Sequence, residues 1–358
     1  MEKNYLRRLI GTLLLLTVIS LFSCSNPLDD WEKMSSSREM IDSLTKGVKN
    51  ARVTVGIVQN GEMSFTVYGE NGRVMPSREY VYDIASISKA VTGHLFARAI
   101  YEDLLTLDDL DSPIDLFLNL PSKKYYPTIR RLLTHTSGYK YQYAYFMPPR
   151  PSPFENPFYG INREMTMHHV RTINLSNRDY PFEYSNFGFA VAGLVLERLF
   201  NEEYASLVNS YFQNLGLSNT RAGDGSGNLS YHYRWNRDNP YIAAGGIVST
   251  VTDLMKFAQI QMDQTHPYVN YAHKVWAEIE NADADFDFSG LGIRVDAIGL
   301  GWQIDRSNNV ILHGGSVDTF ETYAGFDKSM GIAVVVLSNI RSRIPSWVIG
   351  SQIFKELR

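Results

Sequence analysis

Strand patterns occur at both ends of the chain, and helical patterns lie between them. Near the amino terminus the run Val53–Val58 predicts a buried strand, Asn60-Gly61 is a strong signal for a tight hairpin, and Ser64–Tyr68 predicts the return strand. The spacing of apolar residues predicts helices over 38–49, 129–133, 186–200 and 345–357, and one that begins at 86 and ends before the acidic turn at 107–109. Strand patterns return over 299–304, 310–313, 322–326 and 332–337.

The order of these elements predicts the fold class. They are joined most economically as one antiparallel sheet that takes strands from both chain ends and is flanked by helices, with a mostly helical lobe at about residues 90–240 inserted between the strands. We therefore predict an α+β fold and a single catalytic domain over 38–358. The length of 358 residues would by itself also allow two ordinary domains.

A stretch rich in tyrosine and proline, residues 139–159, interrupts the helical part. Its prolines exclude a regular helix. An aromatic loop of this kind beside a cleft would suit a lid over a substrate. A surface loop packed on its own rings fits the same composition, so the sequence leaves both interpretations open.

Composition narrows the classes of function. With 44% hydrophobic residues, the chain has the composition of a globular protein and not of a disordered one. Its 34 Lys and Arg against 38 Asp and Glu give a net charge of -4 without a basic cluster, so we predict no nucleic-acid partner. The single cysteine, Cys24, excludes an internal disulfide and a cysteine-based zinc cluster.

The first 24 residues follow the pattern of a targeting segment. Basic residues within 1–8 precede an apolar run over 9–22, which is shorter than the roughly 20 residues that span a bilayer, so we predict a secretory signal over 1–23. The segment Leu21-Phe22-Ser23-Cys24 resembles a bacterial lipobox. That resemblance implies lipid on Cys24, a tether over 24–37, and a lipoprotein anchored in the bacterial cell envelope on the periplasmic or outer surface. An ordinary signal peptide with an incidental cysteine is the alternative.

Motifs for several kinds of chemistry are absent from the sequence. It contains no His-Glu-x-x-His, no GxGxxG between a strand and a helix, no phosphate loop and no Gly-x-Ser-x-Gly. His168 and His169 are adjacent and cannot share one helix face, so we interpret them as surface residues and not as metal ligands. We therefore predict neither a metal nor a cofactor.

A Ser-x-x-Lys motif, Ser86 to Lys89, stands at the start of a predicted helix. The spacing of three places the hydroxyl and the amine on one helical face, and the helix N-terminus would favour an oxyanion formed by attack on a carbonyl. Lys89 could take the serine proton only if burial or cationic neighbours lowered its pKa. A second copy, Ser43 to Lys46, lies in an amphipathic helix without other chemistry, and we interpret it as a solvated face.

Two further motifs give the Ser86 copy its context. Tyr184 and Asn186 form a Tyr-x-Asn just before a predicted helix, and His313-Gly314-Gly315-Ser316 ends a predicted strand. The bare glycines would let a substrate backbone approach as an added strand. Another Tyr-x-Asn, Tyr268 to Asn270, lies in a polar stretch without neighbouring motifs. A nucleophile on a helix, a second base on a loop and an open strand edge together predict an acyl-transfer site.

These three motifs, in this order and spacing, resemble those of the serine beta-lactamase and penicillin-binding-protein superfamily, in its class C and D-alanyl-D-alanine carboxypeptidase branch. The resemblance covers residues 38–358 and extends to the segments around the motifs. Those segments are Asp83–Thr92, Ile129–Gly138, Ala243–Thr250 and Val334–Asn339.

The resemblance implies a role for each residue. Ser86 would be acylated, and Asn186 would bind the substrate. Lys89 and Tyr184 would together act as general base and general acid, with Tyr184 in a phenolate-like state. Within the strand motif, His313, Gly314, Gly315 and Ser316 would contact the substrate: the His313 side chain would donate to a substrate carboxylate, and the N–H groups of Ser86 and Ser316 would stabilise the oxyanion. The family assigns no chemistry to His135, which we expect to be structural.

One departure from the family pattern bears on the substrate. Relatives have a Pro-Gly-aromatic turn after the strand motif, where this chain has Val317-Asp318-Thr319-Phe320. We predict an extracytoplasmic serine hydrolase acting on D-amino-acid peptides of cell-wall type or on small esters. Beta-lactamase activity is less favoured, because His313 stands where class C enzymes have lysine. The alternative is a non-catalytic lipoprotein that uses the same fold to bind muropeptide or a protein partner.

Overall fold

The computed structural model describes residues 33–122, 125–141, 156–263, 265–279, 287–288, 293–341 and 344–358. Cys24, the predicted signal and most of the predicted tether lie outside the described residues, as does most of the Tyr/Pro-rich stretch. No helix among the described residues is long and apolar enough to span a membrane.

The helices come mostly from the middle of the chain. Ser37–Thr45 (α1) precedes the first strand, and Ser346–Leu357 (α10) ends the chain. The others lie between them and are α2 Ile87–Tyr101, α3 Ile129–Leu133, α4 Arg163–Thr172, α5 Asn186–Phe200, α6 Tyr204–Asn214, α7 Ile242–Gly245, α8 Val251–Met262 and α9 Val269–His273.

One large antiparallel sheet contains strands from both ends of the chain. Within the described residues it has nine strands in the order β3-β2-β1-β14-β13-β12-β11-β10-β7. These are β1 Val53–Gln59, β2 Glu62–Tyr68, β3 Val74–Met75, β7 Ala277–Glu278, β10 Ala297–Ile298, β11 Gln303–Asp305, β12 Val310–Ser316, β13 Glu321–Asp327 and β14 Ile332–Ser338. The small sheets are β4 Tyr82–Asp83, β6 Ile247–Ser249 and β5 Arg221–Ala222, and separately β8 Asp287–Phe288 with β9 Ile293–Arg294.

The centre of the large sheet is covered on both faces. Every residue of β13 and β14 is buried. Gly56 of β1 faces α8, since a methyl group added there would meet Val251, whereas Tyr323 of β13 points at Gly350 of α10. Because side chains alternate between the faces along each strand, α8 and α10 lie on opposite sides. The predicted α+β fold with an antiparallel sheet flanked by helices is therefore confirmed.

Two predicted boundaries are wrong. Residues 299–304 do not form one strand, because a turn separates β10 from β11 and Gly301 adopts a φ of +70° that glycine favours. The helix predicted over 38–49 ends at Thr45, because Gly47 adopts a left-handed φ of +71°. The helix that follows Ser86 ends at Tyr101, before the acidic turn as predicted.

Helix α2 lies against the turn between β10 and β11, with almost no space between the two backbones. A methyl group on Gly93 would come within 1.7 Å of the Leu300 carbonyl oxygen, and one on Gly301 would come within 2.2 Å of the Lys89 carbonyl oxygen. Glycines on both sides thus set the position of α2 relative to the sheet, and with it the position of the Ser-x-x-Lys motif at its start.

We expect Gly93→Ala to lower the free energy of unfolding by about 2–3 kcal/mol, because helix and turn must separate to accept the methyl group. Urea unfolding measures this difference. Gly188→Ala on α5 is the control, since its methyl group would approach no atom closer than Ser185 Oγ at 3.3 Å. If Gly93→Ala cost no more than the control, the close packing of α2 on the turn would be contradicted.

Candidate active site

Ser86 is presented at the start of α2 by a strained backbone. Ala85, directly before it, is buried and adopts a left-handed φ of +48°. For a residue with a Cβ this conformation costs of order 1 kcal/mol and is held by the surrounding packing. The resulting sharp turn between β4 and α2 leaves the Ser86 side chain partly exposed at the wall of a cleft.

Lys89 lies one helical turn further along α2 and is fully buried. Its Nζ is 3.1 Å from Ser86 Oγ, 2.7 Å from Asn186 Oδ1 and 2.7 Å from the carbonyl oxygen of Ala244. Burial away from water lowers the pKa of Lys89 well below its usual value. A neutral amine in hydrogen-bond contact with Ser86 can accept the proton of the serine hydroxyl.

Tyr184 lies over the same pair of side chains. Its hydroxyl is hydrogen-bonded to Ser86, and Lys89 Nζ lies 4.7 Å from the centre of its ring. Burial raises the pKa of Tyr184, and the hydrogen bond to Ser86 only partly opposes this. Burial therefore does not favour the phenolate-like state implied by the resemblance. A protonated phenol at this position is suited to donate a hydrogen bond.

His135 holds Tyr184 in place. Its ring stacks on the Tyr184 ring with 4.3 Å between the centres, and its Nδ1 accepts a hydrogen bond from the Ser185 N–H at 2.9 Å. The Ser185 side chain in turn caps α5 by accepting from the Gly188 N–H. His135 thus has the structural role that we expected, and it acts on a residue at the centre of the site.

The strand motif places its glycines against the nucleophile. A methyl group on Gly315 would lie 2.4 Å from the Ile84 carbonyl oxygen and 2.9 Å from the Ser86 nitrogen, so glycine is required there. At Gly314 the nearest atom would be 3.7 Å away, and close approach does not require glycine. Among the strands that the structure describes, β11 pairs only with 310–312 of β12, which leaves residues 313–316 with one open edge.

His313 is buried and electrically neutral. Its Nδ1 lies 2.6 Å from the Gly314 carbonyl oxygen, a partner that can only accept, so the proton is on Nδ1 and Nε2 is an acceptor. Burial and the nearby Lys89 lower the pKa of His313 to about 3. This arrangement does not favour the expectation that the His313 side chain donates to a substrate carboxylate, because the one donor of this tautomer already faces the Gly314 carbonyl oxygen.

The cleft beside Ser86 has a volume of about 200 Å³ and an aromatic wall. Phe158 stacks on Tyr241 at 4.5 Å and on Trp235 at 5.9 Å between ring centres. Sequence reasoning missed this wall, since only Phe158 belongs to the Tyr/Pro-rich stretch and no motif marks the others. The remaining residues that line the cleft include Tyr141, Asn186, Tyr233, Ser316, Asp318 and Arg341.

The second copies of the motifs lie elsewhere. Ser43 and Lys46 are exposed on α1, as predicted. The second Tyr-x-Asn copy was interpreted as part of a polar stretch, but the Tyr268 side chain is buried and contacts the His94 ring.

The two adjacent histidines differ in exposure. His168 is exposed as predicted, whereas His169 is buried, contrary to expectation, because α4 turns that face toward α5. No group of three or more His, Cys, Asp or Glu residues that could hold a metal ion occurs in the described part of the chain.

A larger cavity of about 870 Å³ lies on the helical part, away from these residues. It is lined by side chains of α4 and α5 and by 116–119, and none of the predicted site residues contributes to it. The chemistry-bearing side chains therefore point to the smaller cleft.

Known proteins share features of this sequence and fold. The sequence model of the Beta-lactamase family matches residues 39–351. Protein flp of Staphylococcus aureus (strain N315) is 22% identical in an alignment 312 residues long. The alignment covers 80% of this chain and 59% of that protein, so the chain spans less than two thirds of this relative.

Two solved structures share the fold. A Beta-lactamase/D-alanine carboxypeptidase from Yersinia pestis superposes with a TM-score of 0.69 at 18% identity, covering 89% of this chain and 96% of the other. A D-stereospecific amidohydrolase from Streptomyces sp. gives a TM-score of 0.64 at 20% identity, with coverage of 89% and 96%.

The lowered pKa of His313 predicts how stability depends on pH. Below pH 6.5 the unfolded chain takes up a proton at this imidazole that the folded protein does not, so the free energy of unfolding falls as the pH is lowered from 6.5 toward 3. Well inside this window, one such histidine contributes a slope of about 1.4 kcal/mol per pH unit. We expect His313→Gln to reduce the slope measured by urea unfolding between pH 5.5 and 4 by about this amount.

The exposed His168 offers a matched control for this measurement. His168→Gln is expected to leave the slope unchanged, since its side chain remains in contact with water. Equal slopes for His313→Gln and the wild-type protein would show that His313 is not buried as a neutral group.

Proposed function

The chain belongs to the Beta-lactamase family, and we propose that it is a serine hydrolase that works through an acyl-enzyme on Ser86. The observation that carries this proposal is the buried Lys89 amine, which lies 3.1 Å from Ser86 Oγ with a pKa well below its usual value. An amine whose charged form is disfavoured by burial and that contacts a serine hydroxyl is placed to act as a general base.

The acylation step follows from these contacts. Ser86 Oγ attacks the substrate carbonyl carbon while its proton passes to Lys89 Nζ. The N–H groups of Ser86 and Ser316 face the developing oxyanion, as Gly315 brings the strand against Ser86. When the bond to the leaving group breaks, the Tyr184 hydroxyl donates a proton to it and is reprotonated from Lys89. Water then hydrolyses the ester on Ser86 by the reverse transfers.

As substrates we propose D-amino-acid peptides of cell-wall type or small esters. Proteins of the same fold are described as a beta-lactamase/D-alanine carboxypeptidase and as a D-stereospecific amidohydrolase, which supports this class. Hydrolysis of beta-lactam antibiotics is less favoured, because the neutral His313 stands where class C enzymes have a lysine.

A binding protein without turnover is the competing proposal. Binding muropeptide or a protein partner requires a shaped cleft, but it does not require a desolvated lysine against a serine. Burying Lys89 without its charge costs free energy that a binding role leaves unexplained. We therefore favour catalysis.

We also propose that the protein is a lipoprotein anchored through Cys24 and exposed outside the cytoplasm. The basic and apolar pattern of residues 1–24 supports this location. Metabolic labelling with an alkyne fatty acid tests it: the label is expected on the wild-type protein and not on Cys24→Ser.

We expect one covalent adduct on Ser86 after incubation with a fluorescent penicillin or an activated ester, detected by mass spectrometry of the intact protein and its peptides. Ser86→Ala should abolish the adduct. Ser43→Ala is the matched control, since Ser43 belongs to the second Ser-x-x-Lys copy, and it should react like the wild-type protein. Folded wild-type protein that no acylating probe labels would contradict the proposed function and favour the binding protein.

We expect Lys89→Met and Tyr184→Phe each to slow acylation by about 10²–10⁴-fold, the usual contribution of a positioned base or acid. The rate of p-nitrophenol release from a short-chain ester measures acylation, and release of D-alanine from a stem-peptide mimic tests the peptide substrate. Near wild-type rates in Lys89→Met would show that another group takes the serine proton.

A further inference from the structure

Among the described residues that line the cleft, one is a cation, and it lies at the rim. Arg341 follows β14, lines the same cavity as Ser86, and its side chain is 57% exposed. Lys89 is buried behind Ser86 with three hydrogen-bond partners, and His313 is neutral. Among the described residues, an anionic group on a substrate therefore meets only Arg341 as a positive charge.

Two carboxylates hold the Arg341 guanidinium loosely. Asp318 Oδ1 lies 3.6 Å from Nη1, and Glu321 Oε1 lies 3.9 Å from Nε. Both distances exceed hydrogen-bond length, so these carboxylates orient the guanidinium electrostatically while its N–H donors can still form a bidentate contact. A guanidinium matches a carboxylate in this geometry better than a lysine amine does.

Glu321 lies between Arg341 and Ser316 of β12 and contacts both side chains. It lies directly across from Ser316 in the β12–β13 pair, and its Oε1 accepts a hydrogen bond from Ser316 Oγ at 2.8 Å. Its side chain is largely buried, which fixes its position. Arg341 is therefore connected through one carboxylate to the residue whose N–H is expected to face the oxyanion.

We propose that Arg341 binds a carboxylate of the substrate, an inference that rests on the proposed function. The natural substrate is then an anionic peptide or ester and not a neutral one. In a D-amino-acid peptide this group is the terminal carboxylate of the residue that leaves. Asp318, at the same rim, is the group that would instead attract a substrate ammonium, and the two assignments predict opposite charge preferences.

Three esters that share the same acyl group distinguish recognition of an anion by Arg341 from recognition of a cation by Asp318. They are N-acetyl-D-alanyl-D-lactate, its carboxamide, and the analogue in which a trimethylammonium-methyl group replaces the carboxylate. Release of N-acetyl-D-alanine measures kcat and KM for each. We expect the wild-type protein to prefer the lactate over the carboxamide at least 10-fold in kcat/KM.

Variants at Arg341 test the assignment. Arg341→Gln should abolish the preference for the lactate, mainly by raising KM, while the carboxamide changes less than 2-fold. Arg341→Lys, which keeps the charge but loses the planar fork, should retain part of it. Arg306→Gln is the matched control: Arg306 also pairs with two carboxylates, Glu278 and Asp296, but does not line the cleft, and its loss should change neither substrate.

Three results would overturn the proposal. They are equal effects of Arg341→Gln on the lactate and the carboxamide, a wild-type preference for the carboxamide, and a preference for the cationic ester, which would assign recognition to Asp318. Calorimetric titration of Ser86→Ala with the lactate and the carboxamide separates this proposal from the proposed function. Tighter binding of the lactate that Arg341→Gln removes would support Arg341 even if no ester were turned over, and equal binding would contradict it.

Discussion

The candidate site depends on the burial of Lys89 away from bulk water. A lysine in this position must give up its charge or find strong partners, and here the partners are a serine hydroxyl, an amide oxygen and a backbone carbonyl oxygen. None of the three is an anion. Loss of the charge is therefore the physical consequence, and it makes a residue that is normally a cation into a base next to Ser86.

That burial is set by backbones that touch. Gly93 and Gly301 let α2 approach the turn between β10 and β11, and Gly315 lets β12 approach the Ser86 nitrogen. The first two glycines set the position of α2, which carries Lys89, and Gly315 sets the position of β12 beside Ser86. The geometry of the site is thus maintained by glycines, and a methyl group at any of these three positions would push the two backbones apart.

The sequence predicted what local patterns can encode. Asn186–Phe200 and Ile129–Leu133 were predicted to the residue, because their apolar spacing and their caps lie within the segment itself. Ser86, Lys89, Tyr184, Asn186 and the strand motif were found from their spacing, and the structure brings them together around one cleft.

Other features depend on groups that are distant in sequence. The neutral state of His313 follows from burial and from Lys89, which lies more than 200 residues earlier, and the protonated state of Tyr184 has a similar origin. The aromatic wall and Arg341 also escaped prediction, because tyrosines, tryptophans and arginines occur throughout the chain and only folding selects those that line the cleft.

Under the proposed function, the same desolvation separates the catalytic groups from the group that recognises charge. Burial disfavours the charged forms of Lys89 and His313, and Lys89 further lowers the pKa of His313. A positive charge that recognises an anion must then stay where water reaches it. Arg341 meets this condition at the rim, half-exposed and oriented by carboxylates, one of which is bonded to the strand edge at Ser316. The two proposals together place reactivity inside the cleft and electrostatic selection at its edge.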